Sequence, residues 1–377
     1  MFCGISQAAG AQAPVCTMTP LLRQTEISVV DRQCRTCKAC LKSCPLGNSY
    51  TNPGCLSVEP IVNQDCIACG ACYQRCPHKA VDYQDDIELF LDELAAGRTL
   101  SLLVAPAVRR HFPDYRQLFG FLKTLGVKSF YNVLLRADIT IWAYLQILRR
   151  RKNTPFISSP CAAVNNYIIN HAPRLQEHLM PVYSPLQCTA IYLRKYTAVR
   201  EPLAFLSPCI AKRGEIRRHR TNQYGIKYSV TINRLKQYLH TAGINLANYE
   251  PVDFADSYEG NGLTLGAHGG VCECFAEYLP AGRYQKISGT GSVYNFLADY
   301  QAALVDKQAL PTLLEVYNCA AGCDSGTGVG AYPGSSILTG GEKPFPSQTQ
   351  QAESAFQRFD RELDLADFIW NYQAISM

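Results

Sequence analysis

The feature that most constrains this chain is a cysteine motif that occurs twice in tandem, as "CRTCKACLKSCP" and "CIACGACYQRCP". In both copies four cysteines are separated by two, two and three residues. This is the spacing of two-cluster ferredoxins, in which the fourth cysteine of each run ligates the cluster of the other run. The pattern predicts two 4Fe-4S clusters, one held by Cys34, Cys37, Cys40 and Cys76 and the other by Cys66, Cys69, Cys72 and Cys44. Zinc at both sites is the alternative, which eight cysteines at this spacing disfavour.

Composition excludes several classes of protein. With 377 residues, of which 47% are hydrophobic, the chain can bury a large core and is expected to divide into two or three domains. A net charge of +5 without a Lys/Arg block predicts no nucleic-acid binding. The 18 cysteines occur largely in CxxC groups, which indicates metal ligation in a reducing cytoplasm rather than a disulfide scaffold. The N-terminus lacks the features of a secretory signal, and no stretch approaches the ~18 apolar residues of a membrane span.

Four segments are expected along the chain. An N-terminal extension (1–30) precedes a small α+β ferredoxin-like domain with two clusters (31–84). Short apolar runs that alternate with helical patterns then predict an α/β domain with parallel sheets flanked by helices (85–345). A Gly/Pro/Ser-rich linker leads into a C-terminal helical segment (346–377) that packs back on the surface.

Three further cysteine motifs each follow a strand-like run. They are "SPC" with Cys161, "SPCIAKRGE" with Cys209, and "EVYNCAAGC" with Cys319 and Cys323. Open parallel sheets bind ligands at the carboxyl ends of their strands, so these motifs are expected to converge on one crevice. Four thiolates there would suit a third cubane. Buried apolar cysteines would explain any one motif, but they explain all three together less readily.

These three motifs, in this order behind a two-cluster ferredoxin domain, resemble the signature motifs of the FeFe-hydrogenase family over about 30–372. The resemblance implies a two-lobed catalytic domain and an H-cluster, a 4Fe-4S cubane joined through cysteine to a diiron unit that carries carbonyl, cyanide and a bridging dithiolate. It makes the cubane ligands Cys161, Cys209, Cys319 and Cys323, of which Cys323 bridges to the diiron unit.

The same resemblance assigns residues around the diiron unit. Lys212 matches the lysine that hydrogen-bonds a cyanide ligand, and Glu215 matches the acidic residue that closes the second motif. A charged donor suits an anionic ligand in a dry pocket, although a solvated surface lysine is the alternative for Lys212. The segment "LGAHGGVCECF" resembles a family glycine segment beside the diiron unit, with Gly266, Gly269, Gly270 and Glu273 in place. Cys272 and Cys274 are small apolar filler or, for Cys272, a proton donor.

The chain also departs from its family. Pro160 stands where the prototypical members carry the cysteine that passes protons to the diiron unit, and the serine of that relay aligns with Met180. The two surface glutamates of the relay align near Asp114 and Gln117. Two methionines that pack on the cofactor are replaced by Ser207 and Tyr317, which adds hydrogen-bonding groups around the site.

These losses lead to three functional hypotheses. The first is a slow hydrogenase that interconverts protons and dihydrogen, and the second is a sensor of dihydrogen or redox state with the same cofactor. The third is a plain electron carrier without the diiron unit, which the retained Lys212 argues against. The family predicts as partners a ferredoxin or other redox protein and the maturation proteins that supply the diiron unit. The interpretation we adopt is a hydrogenase-type redox protein of low activity.

Overall fold

The computed structural model of the protein describes residues 27–29, 33–46, 66–133, 137–218, 225–255, 264–330 and 349–370. Most of the predicted N-terminal extension and the predicted Gly/Pro/Ser linker lie outside these residues. In the described parts the strands are β1 (Ile27–Val29), β2 (Val81–Tyr83), β3 (Leu100–Val104), β4 (Val127–Asn132), β5 (Phe156–Ile157), β6 (Leu203–Ser207), β7 (Ile226–Thr231), β8 (Tyr284–Ser288) and β9 (Leu313–Tyr317).

The helices between these strands are mostly short. They are α1 (Ala39–Lys42), α2 (Ala71–Arg75), α3 (Ile87–Ala95), α4 (Ala107–His111), α5 (Tyr115–Thr124), α6 (Ala137–Arg150), α7 (Ala162–His171), α8 (Pro185–Tyr196), α9 (Ala211–Arg218), α10 (Ile232–Thr241), α11 (Gly270–Phe275), α12 (Thr290–Val305) and α13 (Thr349–Glu362). No helix among the described residues is both long and apolar enough to cross a membrane.

The small N-terminal domain is built on an antiparallel pair of strands, β1 and β2, in which Ile27 lies opposite Tyr83. Its core is small and includes Ile27, Val81 and Tyr83, against which several of the motif cysteines pack. β1 lies within the segment 1–30 that the sequence predicts as an extension. A strand of only three residues is too short to show an alternating pattern in the sequence.

The first lobe of the larger domain contains a four-stranded parallel sheet in the order β4-β3-β6-β7. Every residue of β3 and β6 is buried, as expected for central parallel strands that are covered by helices on both faces. The second lobe contains a three-stranded parallel sheet in the order β5-β9-β8, and its central strand β9 is also wholly buried. Two lobes of parallel sheet flanked by helices confirm the predicted fold class.

The C-terminal helix α13 packs against α6. Trp142 Nε1 on α6 donates a hydrogen bond to Asp360 Oδ1 at 2.8 Å, and Phe359 is buried beside Trp142. The chain beyond α13 continues across the second lobe, where the Trp370 amide donates to the Pro181 carbonyl at 2.9 Å. This segment therefore covers the apolar face of α6, in line with the packing expected from its helical pattern.

Arg213, on α9, joins the end of the small domain to the first lobe. Its guanidinium donates to Gln84 Oε1, in the last residue of the predicted ferredoxin-like domain, at 2.9 Å. The same guanidinium lies 2.9 Å from the buried Asp86 carboxylate, which also accepts a hydrogen bond from the Ser229 amide at 3.0 Å. Because α9 contains the end of the second cysteine motif, these contacts fix that motif relative to the ferredoxin-like domain.

Candidate functional site

Each of the three catalytic-domain cysteine motifs lies at the carboxyl end of a strand. Cys161 lies between β5 and α7, Cys209 between β6 and α9, and Cys319 just after β9. The first two cysteines precede helix N-termini, whose free backbone N–H groups favour a thiolate. The structure thus brings together strand ends from both lobes, the arrangement that the sequence predicts.

Glycines allow the backbone of the third motif to contact the backbone of the second. The Gly328 amide donates to the Pro208 carbonyl at 2.8 Å. A Cβ atom at Gly326 would lie only 2.2 Å from that same carbonyl oxygen, and one at Gly328 would lie 2.9 Å from the Cys209 amide nitrogen. Any larger residue would push the two motifs apart, so these glycines set the distance between Cys209 and the cysteines of the third motif.

The glycine segment before α11 is bonded to the third motif. The Cys323 amide donates to the Gly266 carbonyl at 2.7 Å, and Ala267 forms an antiparallel bridge with Gly322. Gly322 has a φ of +68°, a left-handed conformation that favours glycine. The family segment therefore borders Cys323, the cysteine that the resemblance assigns to the diiron bridge.

Glu315 holds the other end of the glycine segment, a role that sequence reasoning missed. Its fully buried carboxylate accepts hydrogen bonds from the Gly269 amide at 2.5 Å and the Cys272 amide at 2.9 Å. Gly270 is also tightly held, since a Cβ there would lie 1.7 Å from the Thr264 carbonyl oxygen. The side chain of the predicted Glu273 is exposed, so the structure does not bring it to the buried thiols.

The four cysteines of these motifs, here called the four-thiol site, are Cys161, Cys209, Cys319 and Cys323. Burial and, next, the neighbouring Cys161 together raise the pKa of Cys209 to about 11. Burial followed by the thiols of Cys209 and Cys161 also raises the pKa of Cys319 and Cys323. Without a metal such a cluster is costly to ionise, whereas ligation to iron deprotonates coordinating thiols outright. The donor set therefore fits an iron-sulfur cluster.

Across the parts of the chain that the structure describes, no three Cys, His, Asp or Glu side chains are grouped as ligands of one metal ion.

Lys212 and Glu215 form a buried ion pair beside the four-thiol site. Lys212 Nζ lies 2.6 Å from Glu215 Oε2, and Lys212 is only 8% exposed, so it is not a solvated surface lysine. Ser184 Oγ donates to the other carboxylate oxygen at 2.5 Å. Burial would lower the pKa of Lys212, but Glu215 and the nearby thiols outweigh it and raise that pKa, so the ammonium stays charged. The site therefore presents a desolvated cation held by a positioned carboxylate.

The two methionine replacements, Ser207 and Tyr317, use their hydroxyl groups within the protein. Ser207 Oγ donates to the Cys209 carbonyl at 3.0 Å and accepts from the Cys209 amide at 3.1 Å. The Tyr317 hydroxyl donates to the Leu265 carbonyl, which lies next to Gly266. Both side chains therefore brace the loops around the site rather than leaving free donors in it.

Cys272 and Cys274 lie in different surroundings, although both belong to the short helix α11. The Cys272 thiol donates to the Gln285 carbonyl at 3.5 Å, on the side of β8. Cys274 packs against the same apolar cluster as Cys161 and Cys323 and contacts Thr264 Oγ1 at 3.7 Å. Of the two, Cys274 is the one that packs with ligand cysteines, so a donor role for Cys272 stays a prediction.

The predicted relay positions are only partly brought together. Pro160 is buried directly before Cys161, and Met180 is fully buried. Asp114 precedes α5 and Gln117 lies in its first turn, and α5 packs in the core of the first lobe rather than in the cluster that contains Met180. The alignment of the relay glutamates with these two residues stays a prediction.

The side chain that does reach the first motif is Tyr144 of α6. Its hydroxyl accepts a hydrogen bond from the Ser159 amide at 2.8 Å and lies 3.0 Å from Ser159 Oγ. Ser159 Oγ in turn donates to the Val182 carbonyl at 2.8 Å. These two hydroxyl groups lie next to Pro160, and only the folded structure connects them.

The two ferredoxin-like motifs share a left-handed backbone conformation at equivalent positions. Thr36 and Lys38 have φ values of 52° and 60°, and Ala68 and Gly70, at the same positions of the second motif, have 55° and 76°. Left-handed residues between right-handed ones form concave nests of N–H groups, which are common at Fe-S sites. Non-glycine residues rarely adopt this conformation without a structural reason, so its repetition fits a bound anionic cluster in both motifs.

Neighbouring thiols follow the crossed pattern that the spacing predicts. Burial raises the pKa of Cys40, and Cys76 and Cys34 add to this effect. Burial also raises the pKa of Cys69, with contributions from Cys72, Cys66 and Cys44. We call Cys34, Cys37, Cys40 and Cys76 the first cysteine site, and Cys66, Cys69, Cys72 and Cys44 the second cysteine site.

Replacement of Cys40 with serine tests the assignment of the first cysteine site. We expect Cys40→Ser to damage one ferredoxin-type cluster and to leave the spectroscopic signal of the four-thiol site intact. Electron paramagnetic resonance of the reduced protein measures both. Ser43→Ala is the matched control, because its hydroxyl donates to the backbone carbonyl of Cys40, at 2.9 Å, and not to the thiol. An intact signal from two ferredoxin-type clusters in Cys40→Ser would show that the ligand set is wrong.

Comparison with solved structures finds the same fold in FeFe-hydrogenases. Apo FeFe-hydrogenase HydA1 from Chlamydomonas reinhardtii, in a cysteine-to-histidine variant, matches with a TM-score of 0.56 and 17% identity over 74% of this chain and 90% of that chain. A structure of HydA(deltaEFG) that reveals stepwise H-cluster assembly matches with a TM-score of 0.53 and 17% identity over 75% and 91%. At this identity the likeness concerns the fold alone. A search of curated proteins finds no match to the chain.

Family models identify both parts of the chain. Residues 26–84 match the 4Fe-4S dicluster domain, and residues 98–327 match the iron only hydrogenase large subunit, C-terminal domain. The second match spans more than half of the chain and contains all four cysteines of the four-thiol site. With an N-terminal dicluster domain and this catalytic domain, the chain belongs to the iron-only (FeFe) hydrogenase family.

Proposed function

We propose that this protein is a hydrogenase-type redox protein that interconverts protons and dihydrogen slowly. The observation that carries the proposal is the buried Lys212–Glu215 ion pair beside the four-thiol site. A buried cation is costly unless an anion compensates it, and one carboxylate already does so here. Desolvating both ions of the pair still costs free energy, and a function for the ammonium, such as donating to a cyanide ligand, accounts for keeping the pair inside.

The residues fit the cofactor of the family. Cys161, Cys209, Cys319 and Cys323 would hold the cubane, and Cys323 would also bridge to the diiron unit. When bound, that unit supplies the metal centre at which protons and dihydrogen are exchanged. Lys212 Nζ donates to a bound anion, while Glu215, held by Ser184, keeps the ammonium in place. Pairing with Glu215 thus orients the donor before the cofactor arrives.

We expect low activity because this chain lacks the proton-donating groups at the inner end of the family's proton relay. Pro160 has no exchangeable proton on its side chain or its backbone nitrogen, and the buried thioether of Met180 cannot donate one. Protons must therefore arrive by another route. A small polar cavity lined by Ser184, Gln187 and Glu215 supports one, because water in it would contact the carboxylate that binds Lys212.

The blocked relay also favours a second candidate, a sensor that binds dihydrogen or reports redox state without appreciable turnover. A plain electron carrier without the diiron unit is less favoured. Such a protein has no use for the buried Lys212 ammonium, which is 8% exposed and costly to desolvate. Turnover measured on protein with a full complement of cofactor separates the enzyme from the sensor.

A ferredoxin or another small redox protein is the proposed electron donor or acceptor. The first cysteine site supports this, since Cys37 is exposed there and is surrounded in sequence by the exposed cations Arg35, Lys38 and Lys42. Such a surface suits an acidic carrier that approaches by electrostatic steering. Maturation proteins are the proposed source of the diiron unit.

Infrared spectroscopy after maturation tests the proposed function. Carbonyl and cyanide ligands absorb in a window where protein absorbs little, so a bound diiron unit is seen directly. We expect these bands in matured protein and their absence in protein made without the maturation proteins. No bands after competent maturation would contradict both the hydrogenase and the sensor, and would leave the electron carrier.

Lys212→Ala tests the role of the buried ammonium. We expect the three cubanes to remain, while the infrared bands shift or the diiron unit is retained less completely. Loss of a charge-assisted donor to a buried anion costs about 1–3 kcal/mol or more. Lys195→Ala is the matched control, because Lys195 pairs with Asp367 at 2.5 Å on the exposed surface. Unchanged bands at full occupancy in Lys212→Ala would show that the ammonium does not contact the cofactor.

A further inference from the structure

One buried side chain connects the second cysteine site to the four-thiol site. Asn318 precedes Cys319 and is only 2% exposed. Its Nδ2 atom donates to the Cys69 carbonyl at 3.2 Å and lies 3.5 Å from Cys319 Sγ. Its backbone amide lies 3.5 Å from Cys161 Sγ. A single residue therefore contacts one ligand cysteine of the ferredoxin-like domain and two of the catalytic domain.

The orientation of the Asn318 amide is fixed by its other contacts. The Tyr294 hydroxyl donates to Asn318 Oδ1 at 2.7 Å, and Thr290 Oγ1 lies 3.3 Å from the same oxygen. Because hydroxyl donors occupy the oxygen side, the NH2 group must face Cys69 and Cys319. Tyr294 is itself buried, in an apolar cluster that also contains Cys69, so these contacts hold the Asn318 amide in one orientation.

We propose that Asn318 is a positioning residue for electron transfer: it links the second cysteine site to the four-thiol site and raises the reduction potential of the cluster at the four-thiol site. The inference rests on the proposed cubane at that site, but it requires neither the diiron unit nor hydrogen turnover. It assigns a role to a residue that no cysteine spacing indicates.

The physical basis is the charge on the ligand sulfurs. Hydrogen bonds to cluster sulfurs stabilise the more negative, reduced state, so every N–H···S contact raises the reduction potential. Asn318 supplies such a contact to Cys319 from its side chain, and its other N–H bond ends on the Cys69 backbone. One amide group thereby joins the backbone of a ligand cysteine at the second cysteine site to a ligand sulfur at the four-thiol site.

The transfer itself moves one electron and no proton. A low-potential one-electron redox protein would supply the electron to the clusters that the two ferredoxin-type cysteine sites would hold. The second cysteine site would then pass that electron to the four-thiol site, so that one site loses the electron that the other gains. A higher potential at the four-thiol site favours transfer in this direction.

The test is a redox titration of protein made without maturation, monitored by electron paramagnetic resonance. Asn318→Leu keeps the shape of the side chain but removes both polar atoms. We expect the midpoint potential of the cluster at the four-thiol site to fall by an amount equivalent to about tenfold weaker electron affinity, or ~59 mV for a one-electron couple. The potentials of the two ferredoxin-type clusters should stay as in the unaltered protein.

Asn166→Leu is the matched control. Asn166 is also buried, and its Nδ2 atom donates to a ferredoxin-domain carbonyl, that of Ile67, at 3.1 Å. Its Oδ1 atom accepts from Arg218, and neither of these bonds within the described residues involves a ligand sulfur. Its titration should match the unaltered protein. Equal potentials in Asn318→Leu and Asn166→Leu would overturn the proposal and leave Asn318 as a packing residue.

A second variant tests the proposal if Asn318→Leu does not hold the cluster. Tyr294→Phe removes only the hydroxyl that orients the amide, and it should lower the same potential by a smaller amount. If Asn318→Leu does not hold the cluster, an unchanged potential in Tyr294→Phe overturns the proposal. Neither result depends on infrared bands or turnover, so failure here is distinguishable from failure of the proposed function.

Discussion

Replacement of Cys323 with alanine is expected to remove the catalytic centre while leaving the ferredoxin-like domain intact. Cys323 is assigned both to the cubane and to the bridge, so a single change removes a ligand from each. Protein made with maturation should lose its carbonyl and cyanide bands and all hydrogen turnover. In protein made without maturation, iron should fall from about twelve to about eight per chain if the cubane is lost, since three cubanes carry four irons each.

Cys188→Ala is the control for that experiment. Cys188 is fully buried in the cluster that also packs against Cys161 and Cys323, and its thiol donates to the Tyr183 carbonyl at 3.3 Å. It is a comparable buried thiol outside the proposed ligand set. It should keep its iron and its infrared bands. Retention of the bands in Cys323→Ala, or their loss in Cys188→Ala, would contradict the assignment of ligands.

The cysteine sites could be predicted from the sequence because their chemistry depends on local spacing and on the strand ends that carry them. Cys161, Cys209 and Cys319 each follow a short apolar run, and parallel strands bring such positions together. The nests at Thr36 and Ala68 belong to the same local motifs. The family and the fold class, both confirmed, rest on these features.

Residues that act through distant contacts could not be predicted in the same way. Tyr144 reaches Ser159, 15 positions along the chain, and Asn318 reaches Cys69 across 249 positions, and neither distance leaves a pattern in the sequence. Glu315 lies within an apolar strand, where its burial is a signal of a positioned carboxylate, but its partner amides lie in another segment. The relay glutamates align only approximately, near Asp114 and Gln117, because that region has no motif to anchor an alignment.

Slow turnover by the unaltered, fully matured protein is the second large effect that we expect. A positioned proton donor typically contributes ~10²–10⁴-fold to a rate, so a site that lacks its inner thiol should turn over slower than prototypical members of the family by about that factor. Hydrogen evolution with a reduced viologen dye measures the rate, and the infrared bands give the occupancy of the diiron unit. Rapid turnover at full occupancy would contradict the account of a blocked relay.

Restoring the relay in steps tests whether the missing proton donors limit the rate. Pro160→Cys should raise the rate only modestly, because the buried thioether of Met180 still interrupts the next step and because proline also shapes the backbone that presents Cys161. The double variant Pro160→Cys, Met180→Ser should gain more than the two single changes combined, since a proton relay conducts only when its links are contiguous. Pro160→Ala with Met180→Ser is the control, because it removes the proline without adding a thiol. Equal rates in that control and in the double variant would mean that backbone shape, rather than a missing proton donor, limits turnover.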